Sequence, residues 1–159
     1  MDTENIQFAD KVREDLILLN VEGDTRDEVL NNISIALLEK GVVKKSFASA
    51  LIKRENEYPT GIPIGEYNVA IPHTYPEHNN EIAVTIAVPK KPVQFYNMGN
   101  SEELLKVYVI ICLSFEKMDD SVKMLSSLMT FFGNEENVKA VMVCRDTSEV
   151  LKVIRSSKS

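Results

Sequence analysis

Apolar residues along the chain alternate between short continuous runs, which are typical of strands, and three- or four-residue spacings, which are typical of helices. The first run, "DLILLNV" at residues 15–21, predicts a strand. Thr25 and Glu28 then have the spacing of a capping box. The apolar positions that follow recur at helical intervals up to Gly41, where a glycine is a common helix stop. The chain therefore begins with a predicted strand followed by a helix.

The rest of the chain continues this alternation. Further strands are predicted at residues 68–71, 81–88 and 106–113, with a loop around Gly99. Further helices are predicted at 46–57, 135–143 and 147–155, and in an amphipathic segment marked by Val122, Leu125, Leu128, Met129 and Phe132. The segment 82–88 is apolar at both parities, as in a strand covered on both faces. Helices on both sides of a central strand cluster favour an α/β or α+β sandwich.

Composition and charge limit the classes of function. A chain of 159 residues suits one domain, here 1–159 with its core at about 15–155. Its net charge of −6 argues against nucleic acid as a partner. The chain contains no signal-peptide pattern and no apolar run of roughly 20 residues. Cys112 and Cys144 form no CxxC pair, which predicts reduced thiols in a cytoplasmic protein.

Both histidines of the chain lie in one stretch, "VAIPHTYPEHNNEIAV", five residues apart. His73 and His78 together with Glu77 or Glu81 could form an open metal site, although a structural zinc site needs about four ligands. His78 alone is equally typical of a solvated loop residue. The chain has no GxGxxG or GxxxxGK[ST] motif, and we expect neither a cofactor nor a metal.

His73 has the setting of a reactive residue. It follows a predicted strand end closed by Pro72, whose fixed φ makes the approach rigid. A side chain at such a position is supported by the scaffold and open to a partner. A neutral imidazole is a good nucleophile near pH 7, because its ordinary pKa is about 6.5. These properties suit reversible transfer of a phosphoryl group, with a cation nearby to stabilise the oxygens.

At these residues the sequence resembles a known family. The segment "LIKRENEYPTGIPIGEYNVAIPHTYPEH" (residues 51–78) resembles the signature of the type-2 IIA domains of the bacterial sugar phosphotransferase system (PTS). The later "KKPVQFYNMGN" is similar to the galactitol-specific branch of that family. The resemblance covers essentially the whole chain and implies a three-layer α/β/α sandwich with a mixed β-sheet flanked by helices.

The resemblance also implies roles for individual residues. His73 matches the histidine that carries the phosphoryl group on its Nε2 (tele) atom; the residues alone do not identify the nitrogen. Arg54 matches an arginine near the active site, where a guanidinium can bind phosphoryl oxygens through two hydrogen bonds. Without the resemblance, Arg54 is more typical of a solvated helix-end cation. We expect Glu55 to be an ordinary surface charge, and Thr60 and Gly61 to shape a loop over the site, Gly61 through an unusual φ.

One departure from the family pattern concerns a second histidine. Mannitol- and fructose-type members carry one at the start of a later helix, whereas this chain has Asp120 and Ser121 near that place. His78 is therefore a candidate auxiliary imidazole, brought back toward His73 by a turn at Pro76.

The implied reaction is transfer from phospho-HPr to His73 and then to a cysteine of a IIB protein that serves a membrane IIC permease. Galactitol or a similar polyol is the expected sugar. Neither cysteine of this chain lies in a phosphate-binding loop, so we expect the acceptor cysteine on another polypeptide. The alternative is a nitrogen-type regulatory IIA, whose phosphorylation state controls partner proteins.

Overall fold

The computed structural model describes residues 7–156, and the acidic residues 1–6 and the polar end 157–159 lie outside it. The strands are β1 (Val12–Val21), β2 (Gly61–Ile62), β3 (Asn68–Ala70), β4 (Ala83–Pro89), β5 (Val93–Asn97) and β6 (Asn100–Ser114). The helices are α1 (Arg26–Glu39), α2 (Phe47–Glu57), α3 (Met118–Phe132), α4 (Glu135–Met142) and α5 (Thr147–Ser156). Two short 3₁₀ turns occupy Phe8–Lys11 and Pro76–His78. None of the helices in this range combines the length and apolar character needed to cross a membrane.

The strands form one mixed, six-stranded sheet in the order β1-β4-β6-β3-β2-β5. β4 pairs in parallel with β1 and antiparallel with β6, and β6 pairs in parallel with β3. β4 is therefore an internal strand, and its side chains are buried on both faces of the sheet, which explains the apolar residues at both parities in segment 82–88. β6 also pairs antiparallel with β5 through a two-residue turn at Met98 and Gly99.

Helices cover both faces of the sheet, and this confirms the three-layer α/β/α sandwich. Side chains of α1 and α2 pack on one face together with Ile110 and Cys112 of β6. Side chains of α3, α4 and α5 pack on the other face together with Ile111 and Leu113. Successive side chains of β6 therefore point to opposite faces of the sheet, as the alternation along a strand requires.

The predicted elements are confirmed with a few differences. β1 begins at Val12 rather than residue 15, and β2 and β5 were not predicted. β2 has only two residues, too few to produce a pattern. Leu128 and Phe132 are buried on α3 as predicted, but Val122 is 71% exposed, and Met124, which was not in the predicted set, is buried.

The turn from α2 into β2 contains residues that were predicted to shape the site. α2 ends as expected at Glu57, and the Tyr58 N–H caps it by donating to the Arg54 carbonyl. The expectation that Gly61 needs an unusual φ was wrong, since its φ is not positive. Gly61 is required by close approach instead: a Cβ there would lie 2.6 Å from the Tyr96 carbonyl oxygen. The segment is packed into the sheet and is not a loop over the site.

Candidate functional site

His73 lies where the chain leaves the sheet. It follows β3 by three residues, and the preceding carbonyl, of Pro72, accepts a hydrogen bond from the Leu113 N–H of β6 at 3.0 Å. The half-buried imidazole packs edge-on against Phe115, with the ring centroids 5.9 Å apart. The scaffold therefore fixes both the backbone and one side of the ring.

A hydrogen bond determines which ring nitrogen of His73 is available. Nδ1 lies 2.8 Å from the carbonyl oxygen of Ile71. Because a carbonyl oxygen only accepts, Nδ1 carries the proton. In the neutral ring the lone pair then belongs to Nε2, which is the nitrogen available to act as a nucleophile.

The surroundings of His73 also keep the ring neutral. Burial lowers the pKa of the imidazole below its ordinary value, and the positive charge of Arg54 lowers it further. The hydrogen bond to the Ile71 carbonyl acts in the opposite direction and is outweighed. A neutral ring is the form that can attack phosphorus.

Two tyrosines hold Arg54 in place. Its guanidinium carbon lies 4.2 Å from the centroid of the Tyr58 ring and 5.1 Å from that of Tyr75. Nη1 also donates to the Tyr75 hydroxyl at 3.0 Å. Since Tyr75 is two residues beyond His73, this contact ties the end of α2 to the loop that carries the histidine. Both rings remain substantially exposed, 56% for Tyr58 and 44% for Tyr75, so the guanidinium stays accessible.

His78 has different partners from His73. Its Nδ1 lies 2.8 Å from the Ser46 hydroxyl, and its Nε2 lies 3.8 Å from the Glu77 carboxylate. Its carbonyl accepts from the Lys44 N–H. The 3₁₀ turn thus joins the His78 loop to the start of α2, and an auxiliary role toward His73 stays a prediction.

The prediction that Glu55 is an ordinary surface charge was wrong. Its side chain points into the core, and the residue is only 1% exposed. Both carboxylate oxygens accept hydrogen bonds from Thr60, one from its N–H at 2.7 Å and one from its hydroxyl at 2.8 Å. Burial raises the pKa of Glu55, against the lowering effects of these bonds and of the charges of Arg26 and Arg54. Burial likewise raises the pKa of Cys112 to about 12, with a contribution from Glu55.

The start of α3 does not supply a second imidazole. Ser121 is buried and its hydroxyl donates to the carbonyl of Met118 in its own helix. In the segment between β6 and α3, the side chain of Phe115 packs against the His73 ring. Sequence reasoning missed this contact and both tyrosines around Arg54.

The alternative of a metal site receives no support. Within residues 7–156, no three histidine, cysteine or acidic side chains are arranged to hold a metal ion. The arrangement contains an orienting carbonyl, a neutral imidazole and a nearby guanidinium, and these groups suit transfer of an anionic group.

IIA proteins are among the solved structures that have a similar fold. The crystal structure of the mannitol IIA from Escherichia coli has a TM-score of 0.73 at 19% identity, covering 89% of this chain and 97% of that chain. Nitrogen regulatory protein IIA-Ntr from Neisseria meningitidis has a TM-score of 0.71 at 18% identity, covering 92% and 97%. These TM-scores establish a shared fold.

The family follows from the sequence. The chain belongs to the family described as phosphoenolpyruvate-dependent sugar phosphotransferase system, EIIA 2, whose model matches residues 11–157. It is 31% identical to the galactitol-specific EIIA component of Escherichia coli K12 over 77% of this chain and 81% of that protein. It is 26% identical to the mannitol-specific IIA component of Halalkalibacterium halodurans over 85% and 88%. The chain is therefore a PTS phosphocarrier of the IIA type, as its resemblance implied.

Proposed function

We propose that this protein accepts a phosphoryl group from phospho-HPr on Nε2 of His73 and passes it to the cysteine of a IIB protein that serves a membrane IIC permease. The observation that carries this proposal is the hydrogen bond from Nδ1 to the Ile71 carbonyl. That bond leaves the Nε2 lone pair free on a ring whose pKa is lowered.

The transfer consists of two displacements at phosphorus. In the first, Nε2 of His73 forms the new N–P bond while the N–P bond in phospho-HPr breaks and the HPr imidazole leaves. The His73 ring keeps its Nδ1 proton, so it carries a formal positive charge while phosphorylated. In the second, a cysteine thiolate of IIB attacks phosphorus, and the ring leaves as the neutral imidazole. The surroundings that lower the pKa of the ring also make it a better leaving group.

Arg54 stabilises the transferred group in this scheme. Charge is spread over three equatorial oxygens in the transition state of phosphoryl transfer. A planar guanidinium offers paired donors to such oxygens, and contacts with the two tyrosine rings restrict its position. Preorganised donors of this kind need no reorientation during the reaction.

The galactitol-specific relatives support a polyol as the transported sugar, since their identity of 31% extends over most of the chain. The mannitol relative of the same fold supports a IIB partner: Escherichia coli enzyme IIAMTL is known in complex with phosphorylated enzyme IIBMTL, and this chain matches it with a TM-score of 0.73.

A phosphate chase tests the proposal. The protein is first labelled with phosphoenolpyruvate, enzyme I and HPr, and purified IIB proteins of galactitol and mannitol type are then added separately. We expect the label to leave the protein rapidly in the presence of the galactitol-type IIB and to appear on that protein's cysteine. A label that no IIB removes would overturn the transport function and leave a regulatory one.

The pH dependence of His73 follows from its lowered pKa. The midpoint of proton binding by the imidazole should lie below the ordinary pKa of about 6.5 in the folded protein. As the pH falls, phosphate acceptance should therefore decline with a midpoint below about 6.5. An NMR titration of the His78→Ala variant, which has one imidazole signal, checks this against the same variant unfolded in urea. A pKa of His73 in the folded variant at or above its pKa in the unfolded variant would contradict the prediction.

We propose that His78 assists transfer without carrying phosphate. His78→Ala should accept phosphate from HPr but pass it on to IIB slowly. His78→Gln should recover part of the rate if hydrogen bonding, as with the Ser46 hydroxyl, is the main contribution, and little if positive charge is. Stopped-flow transfer rates equal to wild type in His78→Ala would reduce His78 to a structural loop residue.

A further inference from the structure

Glu55 is a buried carboxyl group that the proposed transfer does not use. A charged or polar group at 1% exposure must have hydrogen-bond partners to offset the loss of water. Glu55 obtains two hydrogen-bond donors from a single residue, because the N–H and the hydroxyl of Thr60 each donate to one carboxylate oxygen. The carboxyl group therefore closes the turn between α2 and β2 as a two-point brace.

Further hydrogen bonds connect Thr60 to the imidazole of His73. The carbonyl of Thr60 accepts a hydrogen bond from the Ile71 N–H at 3.2 Å. The carbonyl of the same Ile71 is the group that accepts the Nδ1 proton of His73 at 2.8 Å. Three sets of hydrogen bonds, joined by the covalent backbone of Thr60 and of Ile71, thus connect Glu55 to the imidazole.

We propose that Glu55 is a positioning residue for phosphoryl acceptance: through Thr60 it fixes the Ile71 carbonyl that selects the Nδ1–H form of His73. This inference rests on the proposed function, in which the Nδ1–H form of His73 accepts the phosphoryl group. Glu55 touches no reacting atom, and its effect passes through the backbone of Thr60 and Ile71.

The position of Glu55 on α2 adds to its effect. Arg54 and Glu55 are consecutive, so they project about 100° apart from the same helical turn. Arg54 faces outward between its tyrosines, whereas Glu55 faces the core beside Cys112. One turn of helix therefore holds both the proposed phosphoryl-binding group and the brace of the acceptor ring, so a shift of this turn would displace both together.

The test is the tautomer of His73 in the unphosphorylated protein, measured by ¹H–¹⁵N NMR, together with the rate of acceptance from phospho-HPr. Wild type should show the Nδ1–H form alone. Glu55→Ala should show a mixture of the two tautomers and a rate lower by roughly tenfold to a hundredfold, as expected for a misplaced reacting group. Glu55→Gln should resemble wild type, because its amide oxygen can accept from the Thr60 N–H and its amide nitrogen can donate to the Thr60 hydroxyl.

Leu37→Ala is the matched control. Leu37 is fully buried on α1 in the same core layer but has no part in the series of hydrogen bonds. It should lose stability while keeping the tautomer and the rate per folded molecule. If Glu55→Ala does not fold, Thr60→Val removes one of the two bonds and should shift the tautomer in the same direction, with Thr60→Ser unchanged.

Two results would overturn the inference. A wild-type tautomer in Glu55→Ala, or in Thr60→Val where that variant replaces it, would make Glu55 a purely structural residue. A Glu55→Gln variant as impaired as Glu55→Ala would assign the effect to charge and not to the hydrogen bonds. Failure of the proposed function is distinguishable from both, since a wild-type protein that accepts no phosphate still reports its tautomer.

Discussion

Replacing His73 with alanine should abolish phosphorylation by phosphoenolpyruvate, enzyme I and HPr. Wild type should gain one phosphate that is stable to base and labile to acid, as a phosphoramidate is. The variant should gain none, because the Nε2 lone pair left free by the Ile71 hydrogen bond is the proposed acceptor. The measurement is the intact mass of each protein after incubation, before and after mild acid.

The control for this experiment is the other of the chain's two histidines. His78→Ala also removes one imidazole from the same loop, yet it should gain the phosphate as wild type does. Circular dichroism should show both variants folded. Labelling that persists in His73→Ala would contradict the assignment of the nucleophile.

The second large effect concerns the geometry of Arg54. Arg54→Lys keeps the positive charge but removes the planar donors, the hydrogen bond to Tyr75 and the stacking between two rings. Loss of one oriented donor should cost about 2 kcal/mol of transition-state stabilisation. That corresponds to a roughly thirtyfold slower transfer, which rapid-quench kinetics with phospho-HPr would measure.

Lys53 provides the matched control for Arg54. It is the preceding residue of α2, it is exposed, and it is also cationic. Lys53→Ala should therefore change the transfer rate little, although it removes a full charge near the end of the same helix. Equal rates for Arg54→Lys and wild type would return Arg54 to the role of a solvated helix-end cation.

The sequence predicts the layers well, and it proposes His73 as the reactive residue, because each prediction uses local signals. The helices and most strands follow from apolar spacing, and His73 follows from a strand end, a proline and a family motif. β5 was missed because its five residues pair with β6 across a tight turn that the sequence presented only as a loop around Gly99. β2 is too short to produce any periodicity.

The residues around the site were harder to predict because their contacts join separate segments. Tyr75 contacts Arg54 across 21 residues, and Phe115 contacts His73 from the segment just after β6. Glu55 was misread as exposed, although a signal was present. It lies four residues after Leu51 and eight after Phe47, so it continues the buried stripe of α2. A carboxyl group in such a stripe needs partners in the core, and the sequence does not indicate that Thr60 supplies them.

The most direct test of the account is the identity of the phosphorylated nitrogen. Long-range ¹H–¹⁵N correlation of the phosphorylated protein, labelled with ¹⁵N-histidine, resolves both ring nitrogens of both histidines. The account predicts phosphate on Nε2 of His73, with the proton retained on Nδ1 against the Ile71 carbonyl. Phosphate on Nδ1 of His73, or on either nitrogen of His78, would contradict it.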